Sequence, residues 1–169
     1  MAKQKRFLQV GGLSGILAGI IATVGVAIVP KAGAAVVWIL SIPLFLALYW
    51  SLREASRDAI SGGALGVAGS VMFAVSGAVE DIASSGSIRT LAGVFIGAAL
   101  IAIGRAMLRS STFRKVYGWI SVIVGIITLT TFLGEATLAE LFPLYFRTPL
   151  LIIWFILAGL KVYRVSKAA

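Results

Sequence analysis

The sequence contains no cysteine and no histidine. Without cysteine the chain forms no disulfide and performs no thiol chemistry. Without histidine it lacks the commonest metal ligand, the usual haem ligand and the usual general base of enzymes. A serine–histidine site and an HExxH zinc site are excluded, and no phosphate-binding or dinucleotide-binding glycine motif follows a strand. The sequence therefore predicts that the protein is not an enzyme, uses no cofactor and has no catalytic residues.

Charge is also scarce. Charged residues make up 12% of the 169-residue chain, hydrophobic residues 60%, and the mean hydropathy is +1.05. A soluble domain of this size has too much surface to hide so much apolar material. Six apolar stretches each have about the length that crosses a bilayer. The sequence therefore predicts an all-α fold, a polytopic bundle of six transmembrane helices that forms one integral membrane domain over residues 1–169, with no soluble domain. The predicted spans are residues 7–29, 34–52, 59–79, 88–108, 116–133 and 148–165.

The two ends of this pattern carry local signals. Basic residues precede the first span, as they do in a secretory signal peptide, but the apolar run of about 23 residues exceeds the roughly 7–15 of a signal sequence. We therefore predict a retained helix, which Pro30 ends. Thr148 and Pro149 predict an N-cap and a first-turn proline at the start of the sixth span.

Lysine and arginine are distributed unequally between the two sides of the predicted membrane. Twelve of the fifteen belong to one side, and Lys31, Arg89 and Arg147 to the other. The twelve are Lys3, Lys5, Arg6, Arg53, Arg57, Arg105, Arg109, Arg114, Lys115, Lys161, Arg164 and Lys167. This bias predicts that both termini face the cytoplasm of a cell membrane. It also accounts for the net charge of +9 without a nucleic-acid partner, so the expected partner is the lipid bilayer itself.

Small residues recur at steps of four in three spans. They are Gly11, Gly15 and Gly19 in the first span, Gly62, Gly66 and Ser70 in the third, and Gly93 and Gly97 in the fourth. Such stripes allow two helices to approach closely. We favour packing inside one bundle; the alternative is a face for a homo-oligomer or a membrane-protein partner.

The remaining spans give weaker expectations about packing. Short loops predict that sequential helices are antiparallel neighbours. The sixth span lacks a small-residue stripe and carries the bulky Leu150, Ile153, Trp154 and Phe155, so we expect it to face lipid. Pro43 lies near the middle of the second span and predicts a kink there.

Ionisable residues inside a membrane usually indicate function, and the predicted membrane centres contain none. Arg105 lies about one turn inside the boundary and is expected to reach the headgroups with its long side chain. The best remaining ligand candidates lie on the outer rim, where carboxylates could bind a divalent cation or a cationic solute. They are Glu80, Asp81, Glu135 and Glu140. We favour the simpler interpretation that they are solvated loop charges.

Four stretches of the chain resemble one family of membrane proteins. They are residues 46–53 (LALYWSLR), 66–73 (GVAGSVMF), 107–113 (MLRSSTF) and 151–159 (LIIWFILAG). These apolar strings are similar to those of the DUF4386-like family of small membrane proteins. The resemblance implies six helices in a prokaryotic membrane. It implies no activity, because that family has no established one.

Three functions remain open, in order of preference. The first is a non-enzymatic scaffold or accessory subunit of a membrane complex, favoured by the small-residue stripes. The second is a small-solute transporter or substrate-binding membrane component, which a polar midplane cavity lined by Ser41, Ser70 or Thr128 would support. The third, a membrane enzyme, requires converging outer carboxylates around Glu80 and Glu135.

Overall fold

Six α-helices and their short connections form the part of the chain that the structure describes. This computed structural model describes residues 2–28, 30–78, 82–133 and 144–168. The helices are α1 (Ala2–Ile28), α2 (Pro30–Leu52), α3 (Asp58–Ala78), α4 (Ile82–Arg109), α5 (Lys115–Leu133) and α6 (Leu144–Ala168). Each is long and apolar enough to cross a membrane, and these residues contain no strand. The prediction of an all-helical fold with six helices of membrane-spanning length is therefore confirmed.

Several helices extend beyond the apolar segments that predicted them. α4 begins at Ile82 instead of residue 88, and α1 begins at Ala2. α6 begins at Leu144, so Pro149 lies inside the helix and Thr148 is not its N-cap as predicted. The reason is that hydropathy marks only the stretch suited to the bilayer core, whereas a helix continues into the headgroup zone for as long as its backbone is hydrogen-bonded.

The helices pack in a ring whose closure the sequence did not predict. From α1 to α5, each helix packs against the next one along the chain. α6, in contrast, packs mainly against α1 and makes far less contact with α5. Sequential helices are therefore neighbours, as expected, from α1 to α5, whereas α5 and α6 touch only sparsely. The reason lies in α1, where Gly12 leaves room for the backbone of Gly159 and Tyr163 of α6.

The bulky residues of α6 differ in exposure. Trp154 and Phe155 are each 2% exposed, whereas Ile153 is 50% exposed. The Trp154 ring lies 5.8 Å from the ring of Phe45, and the Phe155 ring lies 6.0 Å from that of Trp38, both on α2. The expectation that α6 faces lipid is therefore wrong for Trp154 and Phe155, which pack against rings of α2, whereas Ile153 lies on the exposed face.

The small-residue stripes lie at helix contacts within the chain. The contacts are those of Gly11 with Pro43 and Ala47, Gly15 with Leu44 and Gly159, Gly19 with Ile156, Gly62 with Ile103, Gly66 with Phe45, Gly93 with Phe132, and Gly97 with Leu129 and Gly125. A β-carbon added at any of these glycines would collide with its neighbour. The stripes of α1, α3 and α4 are therefore occupied by helices of the same chain.

The contact between α4 and α5 also involves glycines that the step-of-four pattern did not reveal. A β-carbon at Gly125 of α5 would lie 2.8 Å from the Gly97 carbonyl oxygen, and one at Gly104 would lie 2.7 Å from the Gly118 carbonyl oxygen. Gly97 and Gly104 are seven residues apart on α4, and Gly118 and Gly125 are seven residues apart on α5. This matched spacing of two helical turns brings the two backbones together at two levels.

α2 continues through Pro43 as one helix. The Pro43 carbonyl lies against Gly11 of α1, where a β-carbon would approach the oxygen to 2.7 Å. The proline is therefore part of the α1–α2 contact. A kink at this residue stays a prediction.

Candidate functional site

The outer acidic residues that the sequence offered as ligands fall outside the described part of the chain. Glu80 and Asp81 lie between α3 and α4, and Glu135 and Glu140 lie between α5 and α6. Among the described residues, no three acidic side chains come together as a metal site would require. A ligand site on the outer rim therefore stays a prediction from the sequence.

A pair of serines joins α2 and α3 in the bundle interior. Ser41 and Ser70 are both fully buried, and their hydroxyl oxygens are 2.7 Å apart. Each hydroxyl also lies 2.7 Å from a carbonyl oxygen of its own helix, that of Trp38 for Ser41 and that of Gly66 for Ser70. Because each hydroxyl has one proton, one serine donates to a carbonyl and accepts the bond of the other. Both hydroxyl protons are therefore used in bonds within the protein.

The other hydroxyls of the interior are bonded in a similar way. Thr128, which is 1% exposed, donates to the Val124 carbonyl of its own helix. Ser121 of α5 instead donates to the Leu100 carbonyl of α4, at 2.8 Å. Every buried side-chain nitrogen or oxygen in the described residues has a hydrogen-bond partner. Ser41, Ser70 and Thr128 therefore contact protein, and the polar midplane cavity that would support a carrier is not formed by these three residues.

One end of the bundle collects the twelve lysines and arginines. Three contacts identify this end: Phe7 of α1 lies 6.2 Å from Trp50 of α2, Asp58 of α3 pairs with Arg109 of α4, and Lys161 of α6 approaches Phe113 before α5. We call it the basic end. It also carries Glu54 and Asp58, so its side chains sum to +10.

An ion-pair cluster lies at the basic end and was missed from the sequence. One Asp58 carboxylate oxygen lies 3.0 Å from the Arg109 guanidinium and 3.5 Å from that of Arg105. The Arg109 guanidinium also donates to the Ser56 hydroxyl, which accepts a bond from the Asp58 backbone N–H. The cluster joins the first turn of α3 to the last turns of α4, where a helix dipole favours an anion and cations respectively.

The partner of Arg105 is therefore Asp58, which the sequence did not predict. The Arg105 side chain is 57% exposed and lies beside Asp58, and its reach to the headgroups stays a prediction. The signal for this cluster was the four-residue spacing of Arg105 and Arg109, which places both on one helix face. Their partner on another helix could not be read from that spacing.

A shallow cleft opens between α5 and α6 near the basic end. Its lining residues are Met107, Tyr117, Ile120, Trp154, Leu157 and Ala158. It is an indentation of the surface, since its cavity volume is only about 10 Å³. Its surface is almost entirely apolar. The cleft is therefore suited to a hydrocarbon chain better than to a hydrated solute.

No family model, curated protein or solved structure matches the chain. The resemblance to the DUF4386-like family stays a prediction. The fold itself defines a class, which is an all-helical bundle of six helices that are each able to span a membrane.

Proposed function

We propose that this is a six-pass protein of a cell membrane, with both termini in the cytoplasm, and that it acts as a non-enzymatic scaffold or accessory subunit of a membrane complex. The observation that supports this most directly is the state of the interior. Buried hydroxyls in the described residues are all bonded, and glycines hold the helices at backbone contact. A bundle filled in this way leaves its outer surface as the part available for function.

The outer face of α1 has the spacing that another transmembrane helix would need. Its exposed residues Val10, Leu13, Leu17, Ile20 and Val24 are each between 47% and 58% exposed. They alternate in steps of three and four, which is the seam pattern of a left-handed helix pair. The occupant we propose is an apolar transmembrane helix of a partner subunit, because lipid-embedded helices associate through shape and dispersion contact.

The test is native mass spectrometry of the tagged protein, gently extracted from its own membranes. We expect a stoichiometric partner that is lost when Leu13, Leu17 and Ile20 are changed together to alanine. The matched control changes the equally exposed Ile60, Val71 and Val75 of α3 to alanine, and this variant should keep the partner. A partner lost from both variants, or from neither, would contradict the proposed face.

The alternative is a small-solute transporter or substrate-binding membrane component. The cleft between α5 and α6 is apolar, so it favours only the form of this alternative in which the solute is apolar. Appearance of the wild-type protein alone or as a homomer, with a retained small molecule in place of a protein partner, would support this alternative against the scaffold.

A further inference from the structure

The ring of helices has a seam between α5 and α6. α5 packs closely on α4, and α6 packs closely on α1, but α5 and α6 contact each other only sparsely. The cleft lies in this seam, with Tyr117 and Ile120 of α5 on one wall and Leu157 and Ala158 of α6 on the other. An apolar opening between two membrane-spanning helices faces lipid chains.

Two cations lie one helical turn from the cleft, on the side of the basic end. Lys161 follows Leu157 by four residues and Ala158 by three, which places it above them on the same face of α6. Arg114 is the residue just before α5 begins at Lys115, three positions before Tyr117, so it lies at the same end of the seam. The seam therefore has an apolar floor and a positively charged rim.

The charges of this rim are not neutralised within the described residues. The ion pairs of the basic end go from Arg105 and Arg109 to Asp58, and neither Lys161 nor Arg114 pairs with a carboxylate. The Lys161 ammonium instead lies 5.7 Å from the centre of the buried Phe113 ring, which holds it near the seam. A rim of this kind has spare hydrogen-bond donors for an anion.

We propose that the α5–α6 seam is a binding site for one anionic phospholipid. Lys161 and Arg114 hold its phosphate at the basic end, and one acyl chain lies in the cleft against Ile120 and Leu157. Headgroup and chain fit together because basic residues flank an apolar opening between helices, the arrangement that selects anionic lipids at the cytoplasmic surface. This assignment is independent of the scaffold proposed above and of any protein partner.

The charge requirement is tested by titrating phosphatidylglycerol and phosphatidylcholine onto delipidated protein and counting bound lipids by native mass spectrometry. We expect one phosphatidylglycerol to bind preferentially. The double variant Lys161→Gln/Arg114→Gln should weaken this binding about thirtyfold, the sum of two basic contacts at a membrane surface. The matched variant Lys3→Gln/Arg57→Gln removes one lysine and one arginine that are exposed at the same end, away from the seam, and should leave it unchanged.

Equal weakening by both double variants would show a diffuse surface attraction and overturn the site. So would equal affinity for phosphatidylcholine. Soluble glycerol phosphate should not displace the lipid, because it has no chain for the cleft. If it competes at a similar concentration, the rim binds free phosphate and the lipid assignment is wrong.

The position of the chain is tested on the wild-type protein. Phosphatidylglycerol with a photoreactive diazirine on its acyl chain should label Ile120 and Leu157, identified by peptide mass spectrometry. The exposed Val10 of α1 and Val71 of α3 serve as reference positions on other lipid-facing surfaces. Labelling of these residues as strongly as of the seam would contradict the proposal.

Discussion

Single glycines decide how closely α4 and α5 approach. The backbone atoms of Leu129 and Gly125 occupy the volume in which a side chain of Gly97 would lie, at 2.8 Å and 3.0 Å from its β-carbon. A backbone cannot rotate aside as the end of a flexible side chain can. Even one added methyl group must therefore separate the two helices.

We expect Gly97→Val to destabilise the protein by about 1–3 kcal/mol, the usual penalty for overfilling a packed interior. The measurement is thermal unfolding in mild detergent, with loss of the monodisperse species as the readout. Ala64→Val adds two methyl groups on the exposed face of α3 and is the control, expected to leave the midpoint unchanged. A Gly97→Val protein as stable as the wild type would mean that α4 and α5 do not touch here.

Asp58 has a different role, since it lies partly in water. Its side chain is 27% exposed and the two arginines are more than half exposed, so solvent and salt weaken the ion pairs. We expect Asp58→Asn to cost no more than about 1 kcal/mol, with the loss shrinking as salt is added. Unfolding midpoints at low and high salt measure this. Glu54→Gln, at an exposed residue without an ion pair in the described part, is the control. An equal loss in both variants would contradict a specific role for Asp58.

At the scale of residues, the sequence predicted the glycines well and their partners poorly. A step of four was visible for Gly11, Gly15 and Gly19, since a helix turns its own face with a known period. The seven-residue spacing of Gly118 and Gly125 indicates a helix contact only when it is compared with the same spacing of Gly97 and Gly104 on α4. A contact between two helices depends on both surfaces, and the period of one helix describes only its own.

Helix α6 shows how the choice of neighbour is made at the scale of elements. The Gly159 backbone sits against Gly12 and Gly15 of α1, and the aromatic residues beside it enter the groove next to α2. Judged alone, a helix with tryptophan and phenylalanine resembles a lipid-facing one. In the bundle, those large side chains are buried because they pack against the rings of Phe45 and Trp38 of α2.

This neighbour relation predicts a specific cross-link. The chain has no cysteine, so two can be introduced without background. Gly12→Cys with Tyr163→Cys should form an intramolecular link with copper phenanthroline. A β-carbon at Gly12 would lie 2.8 Å from that of Tyr163, and the outward shift of about 1 Å that the added atom forces brings the pair to the separation of a disulfide. Gly12→Cys with Val122→Cys, on α1 and α5, is the matched pair that should not react within one chain. Peptide mass spectrometry identifies the link. A link between two chains only would contradict the ring.

The existence of the helices was easier to predict than their arrangement. A segment that crosses a bilayer must be apolar and helical over about 20 residues, because its backbone has no water to bond. This constraint acts on each segment separately, so each helix can be predicted from its own sequence. The choice of packing partner depends on the surfaces of all six helices together. The candidate outer carboxylates, such as Glu80, stay a sequence prediction because they lie outside the described residues.

For the whole molecule, the unequal distribution of charge predicts an orientation that can be measured. Ser111 is exposed at the basic end, and Ser87 is exposed near the start of α4 at the opposite end. With a membrane-impermeant maleimide on intact cells, Ser87→Cys should be labelled and Ser111→Cys should react only after permeabilisation, because lysine and arginine stay on the cytoplasmic side. The two variants are each other's control. The reverse pattern would show that the basic end faces outward.

The pairing of α1 with α6 also has a consequence for biogenesis. A ribosome adds about 5–20 residues per second, so roughly 7 to 30 s pass between synthesis of Gly12 and synthesis of Gly159. In the six-pass topology proposed above, α2 to α5 enter the membrane during that interval, while Gly12 and Gly19 of α1 still lack their contacts with α6. The nascent protein thus has a period in which α1 contacts α2 but not yet α6, and the α1–α6 contact forms only after α6 has been synthesised.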